Sequence, residues 1–133
     1  MVLLTIQDWV VAKSSHIFWL NGVAGTGKST LAESIFRELQ QSMRLGAFFT
    51  CRRDETSLST PLNVLPTIAY QLGIANTSYG KMLLQLLGAD PSIEMSLGYG
   101  ETQCSKLFIE PISHLLTNTT HEFKIIVVDA LDE

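Results

Sequence analysis

Gly22-Val23-Ala24-Gly25-Thr26-Gly27-Lys28-Ser29 fits the phosphate-loop pattern G-x-x-x-x-G-K-[ST] without a mismatch. Upstream, Ile17-Phe18-Trp19-Leu20 is an unbroken apolar run of strand length. Downstream, Leu31, Ile35 and Leu39 recur at helical spacing, with Ala32, Phe36 and Met43 beside them. The pattern therefore predicts a strand, a loop and a helix, the context this motif requires. A triphosphate needs several backbone N–H groups turned toward it, and glycines let the chain wrap that closely; Gly22, Gly25 and Gly27 meet that need. A helix beginning near Lys28 aims its free N–H groups, and roughly half a positive charge, at the same phosphates. Lys28 is then placed to reach the β- and γ-phosphates, and Ser29 to offer its hydroxyl to Mg2+. The expected nucleotide-holding set is Gly22, Val23, Ala24, Gly25, Thr26, Gly27, Lys28, Ser29 and Thr30. The plainer alternative is a glycine-rich turn that caps a helix, which the apolar strand and helix flanks argue against.

At 133 residues the chain makes one small domain or part of a larger one, and a domain near this size buries only about two thirds of its unfolded surface. Its hydrophobic share of 46% is high beside a charged share of 17%. No apolar run approaches the roughly 18 to 20 residues of a membrane span. That excess predicts a buried core plus surface meant for a protein partner or self-association. A net charge of −4 with scattered basic residues lacks the footprint of a nucleic-acid binder. Cys51 and Cys104 are far apart, with no C-x-x-C pair and no histidine at ligand spacing, so they read as free thiols. Met1 to Val11 lacks a basic start and a sustained apolar core, unlike a secretory signal, and the expected location is cytoplasmic.

Along the chain, Leu4 to Val11 suggests a short helix lying against the first strand, with a turn at Lys13-Ser14-Ser15. Gly46 is expected to stop the loop helix, and Ala47 to Thr50 to form a second strand, apolar on both faces as in a parallel sheet. Arg52, Arg53, Asp54 and Glu55 follow as a charged turn, although Arg52 and Arg53 would share the carboxyl edge with the loop. Thr60-Pro61 reads as a cap and first helical position leading to Leu62, Leu65, Ile68, Ala69 and Leu72, with a kink or restart at Pro66. A short helix over Tyr79 to Leu87, a break at Asp90-Pro91 and a turn-rich stretch to Gly100 come next. A further helix from about Thr102 turns Leu107, Phe108, Ile112, Leu115 and Leu116 inward, kinked at Pro111. His16, His114 and His121 are isolated, which favours packing or solvent roles over a metal site.

Phe123 to Val128 is the most β-branched run and ends in Asp129-Ala130-Leu131-Asp132-Glu133, the form of a Walker B strand with acids at its tip. A carboxylate there sits beside the phosphate loop, where it can hold Mg2+ directly or through water, and Asp129 is the candidate. Asp132 and Glu133 are within reach to orient an attacking water.

The loop, Pro66 to Leu72 (P-T-I-A-Y-Q-L), Leu107 to Ile112 (L-F-I-E-P-I) and the terminal D-A-L-D-E together resemble the NACHT-type P-loop domain of the signal-transduction (STAND) NTPases. The nearest group is the fungal one, similar to the nephrocystin-like N-terminal domain, and the resemblance spans nearly the whole chain. It implies an α/β, three-layer P-loop fold with a parallel sheet, in which residues 1–15 are an N-terminal helix and linker and 16–133 the core through Walker B. It also implies a switch that binds ATP or GTP with Mg2+. Lys28 and Ser29 match the Walker A pair, Asp129 the magnesium aspartate and Asp132 the water activator. In that family another strand follows Walker B and inserts between it and the loop strand, so a chain ending at Glu133 is expected to be truncated, weak in hydrolysis and prone to associate.

Two other readings remain. A small-molecule kinase also opens on such a loop, but it needs an acceptor pocket and an arginine-bearing lid, and the chain offers only Arg52-Arg53. A nucleotide-free remnant serving as an interaction surface is the third.

Overall fold

Two β-forming runs make the sheet on which the other elements are hung. The computed structural model describes residues 2–12, 17–52, 61–89, 100–116 and 124–130. Strand β1 (Leu45–Thr50) and strand β2 (Ile125–Asp129) pair in parallel, in step from Ala47 opposite Ile126 to Thr50 opposite Asp129. The register slips between Leu45 and Ala47. There a Cβ on Gly46 would come within 2.9 Å of Leu72 Cδ1 and 3.0 Å of the Lys124 Cβ. Gly46 is thus a close-approach residue inside the strand, not the stop of the preceding helix. On the far edge of β1 the Phe48 N–H donates to Gln71 Oε1 at 2.9 Å, so a side chain occupies a rung that a further strand would otherwise take.

Helix α1 (Val2–Ala12) packs by Ile6, and its Trp9 ring meets Phe18 edge-on at 5.7 Å. Gln7 donates to both carboxylate oxygens of Glu38 in helix α2 (Lys28–Gln41). The α2 terminus is a Schellman motif: the Arg44 N–H reaches Leu39 O and the Met43 N–H reaches Gln40 O, with Met43 left-handed at φ 57. The helix therefore ends at Gln41, three residues before Arg44, and its left-handed cap is a methionine where glycine is the usual choice. Ile17–Leu20, expected as the first strand, is not a strand of the sheet among the described residues. A run of strand-forming residues becomes a strand only when a neighbour supplies the ladder, and this run leads from the Trp9–Phe18 contact directly into the glycine loop.

The remaining helices form one packed unit. Helix α3 (Pro61–Ala75), α4 (Thr77–Ala89), α5 (Gly100–Cys104) and α6 (Glu110–Leu116) follow in order, with a π-helical turn over Ser105–Ile109 joining the last two. Ala69, Leu72, Tyr79, Leu83 and Leu107 are its buried core, each large apolar side chain contributing about 1.5–3 kcal/mol on burial. Asn76 caps α4, its Oδ1 accepting from the Tyr79 N–H at 3.1 Å. Gly73 and Gly80 let α3 and α4 touch backbone to backbone, since a Cβ on Gly80 would lie 2.6 Å from Gly73 O.

Pro66 and Pro111 both sit inside helical segments, and each withholds an N–H from the carbonyl four residues back. The structure answers both losses in the same way. The Gln103 amide donates to Leu62 O at 3.0 Å, and the Tyr79 hydroxyl donates to Leu107 O at 2.6 Å. Helix α3 consequently runs through Pro66 without restarting, while the irregularity expected at Pro111 is the π turn before it, closed by the Glu110 N–H on Ser105 O. The readings made for Lys13 to His16, Arg53 to Thr60, Asp90 to Tyr99, His121 and Phe123 lie outside the described residues. No helix among the described residues is long and apolar enough to cross a membrane.

Candidate functional site

The glycine loop, the first turn of α2 and the tips of β1 and β2 meet at one end of the sheet. Gly25 and Gly27 have φ of 82 and 83, and a Cβ at either would meet no atom within 4 Å, so the need for glycine there is conformational. At Gly22 the constraint is spatial, because a Cβ would lie 3.2 Å from Thr26 Oγ1. The turn is pinned from within: Thr26 gives both its N–H and its hydroxyl to Val23 O, at 3.3 and 2.7 Å. Asn21 Oδ1 accepts from the Gly22 N–H at 2.8 Å. Gly27 is the N-cap of α2 and has no side chain to cap with, so the first-turn N–H groups of Lys28, Ser29 and Thr30 open toward the loop.

Lys28 folds back across this loop, its Nζ donating to Gly22 O at 2.6 Å and to Val23 O at 3.3 Å. The ammonium and the helix N-terminus therefore face the same small space, both electropositive. Ser29 and Asp129 come together from a hundred residues apart, the Ser29 hydroxyl donating to Asp129 Oδ1 at 3.3 Å. Asp129 is the last residue of β2, and Ala130 behind it is left-handed at φ 57, which turns the chain out of the strand at that point. The Cys51 N–H closes on Asp129 O at 3.0 Å, carrying the β1–β2 pairing one step past the strand end.

A hydroxyl and a carboxylate held this close are hard oxygen donors of the kind that suit Mg2+. Of the residues expected at the site, Gly22 through Thr30 and Asp129 are brought together; Asp132 and Glu133 lie outside the described residues. The left-handed Ala130 was not legible beforehand, because no residue-type signal marks alanine for that conformation. A separate groove of about 260 Å3, lined by Leu3, Ile6, Val10, Ile35, Leu39 and Arg44, lies between α1 and the far half of α2, away from the loop. Among the described residues no group of three His, Cys, Asp or Glu side chains gathers as a metal cluster. Cys51 and Cys104 are not joined in a disulfide.

No curated protein and no solved structure matches this chain. The family model described as nephrocystin 3, N-terminal, matches residues 4–133, and the chain belongs to that family.

Proposed function

We propose that this chain binds a nucleoside triphosphate, ATP or GTP, together with Mg2+, and that it does so as the switch module of a NACHT-type P-loop NTPase of the STAND class. The observation that carries the reading is the Ser29–Asp129 hydrogen bond, which joins the end of the glycine-loop motif to the acid at the tip of a parallel strand. Chance similarity in an eight-residue loop would not require an acid a hundred residues later to meet its serine.

In this reading the loop N–H groups and the α2 terminus take the phosphate oxygens. Lys28 exchanges the carbonyls of Gly22 and Val23 for the β- and γ-phosphates, which trades two neutral acceptors for charged ones. Ser29 and Asp129 hold the ion, whose charge offsets that of the phosphates. Asp132 is the acid assigned by family resemblance to orient water. The parallel β1–β2 pair and the helix following the loop support the three-layer α/β architecture, with Ile17–Leu20 as the segment entering the loop.

Equilibrium titration with labelled ATP, ADP and GTP in Mg2+ tests the reading. Saturable binding is expected, weakened about ten- to a hundredfold in Lys28→Ala, the size of a charge-assisted hydrogen bond. Absence of binding by the parent chain contradicts it.

A further inference from the structure

The register that carries Asp129 to Ser29 also fixes what stands beside Asp129 on the sheet. Thr50, the last residue of β1, is directly opposite Asp129, the last residue of β2. Neighbouring strands lie about 4.8 Å apart, and residues in register project from the same face. Two contacts identify that face as the one under α2. Phe48, two residues before Thr50, meets Phe36 of α2 with ring centroids 4.8 Å apart, and Asp129 itself accepts from Ser29 of α2. Alternation along the strand returns Thr50 to the side of Phe48. Thr50, itself half-buried, therefore stands opposite Asp129 on the helix side, at the carboxyl end of the sheet.

We propose that Thr50 is a positioning residue of the Mg2+–nucleotide site: its hydroxyl holds, with Asp129, a water of the hydrated ion. The proposal rests on the reading of the loop and Asp129 as that site. Mg2+ keeps several waters and takes few protein ligands, so a site for it must orient waters as well as the ion. Ser29 and a single carboxylate leave most of that hydration shell to other groups, and Thr50 is the hydroxyl that the sheet register sets next to the carboxylate. The competing explanation is that threonine stands there as a β-branched strand former. Valine satisfies that requirement equally well, and serine satisfies only the chemical one.

The experiment measures equilibrium binding of a fluorescent ATP analogue to the full chain as Mg2+ is raised from an EDTA baseline. Thr50→Val is expected to raise the Mg2+ concentration for half-maximal effect about three- to tenfold, the size of one hydrogen bond, with affinity in EDTA unchanged. Thr50→Ser is expected to restore the parent value. An unchanged Mg2+ midpoint in Thr50→Val overturns the proposal. Equal loss with and without Mg2+, or a serine variant as defective as the valine one, overturns it too, by pointing to a structural role. A parent chain that binds no nucleotide sinks the underlying reading first, and that result is distinct from all of these.

Discussion

Tyr79→Phe removes one oxygen atom from the centre of the helical unit, and the structure says what that oxygen does. Tyr79 is 2% exposed, and its hydroxyl donates to the Leu107 carbonyl, which Pro111 leaves without its usual helical donor. Phenylalanine keeps the ring and the packing with Leu83 and Leu107 but strands that carbonyl. A buried acceptor without a partner costs about 1–3 kcal/mol, which in a chain of this size lowers Tm by roughly 3–15 °C. The same burial gives an independent signature in pH. Desolvation pushes the Tyr79 hydroxyl up from 10.0 to about 12, so the folded state favours the neutral phenol. Its contribution is fully present below pH 10 and is lost as pH rises toward 12, because the unfolded chain ionises first. Urea unfolding followed by circular dichroism therefore has two expected outcomes. At pH 7 the variant is less stable by about 1–3 kcal/mol, and from pH 10 upward the gap to the parent closes at about 1.4 kcal/mol per pH unit. Equal stability at pH 7 together with parallel pH profiles would refute the role given to this hydroxyl.

Three further expectations concern folding and binding. Met43→Gly should stabilise the chain by about 1 kcal/mol, since Met43 is left-handed at φ 57, 78% exposed and contributes little packing; thermal melting that shows a loss instead would contradict the cap assignment. Gly80→Ala should destabilise by about 1–3 kcal/mol, because its Cβ would come 2.6 Å from Gly73 O and drive α3 from α4; a neutral melt would mean the two helices part without cost. Lys28→Ala should leave far-ultraviolet circular dichroism and Tm near the parent values while weakening triphosphate binding. Unchanged affinity in a folded variant removes Lys28 from the site.

What could be read from sequence was whatever is encoded locally. The glycine loop needs φ values that few residues adopt, so Gly25 and Gly27 announce themselves. The acid ending a β-branched run marked Asp129 in the same way. Ile17–Leu20 shows the opposite case: its composition suits a strand, but a ladder depends on a neighbour distant in sequence, and the described sheet consists of β1 and β2. Pro66 and Pro111 were legible as lost hydrogen bonds; that Gln103 and Tyr79 replace them was not, because those donors come from other helices. The end of α2 falls at a left-handed Met43 and not at Gly46, and sequence does not reveal it because methionine at such a cap carries no signal, while the glycine nearby has a different task against Leu72.

The central claim is that Ser29 and Asp129, 3.3 Å apart, act as one unit in holding Mg2+ with a nucleotide. A double-mutant cycle on Mg2+-dependent nucleotide affinity, using Ser29→Ala, Asp129→Asn and both together, measures this directly. The account predicts that each single variant loses most of the Mg2+ enhancement and that the double variant is hardly worse than Asp129→Asn alone. Fully additive losses, or an Mg2+ enhancement that survives in the double variant, would contradict it.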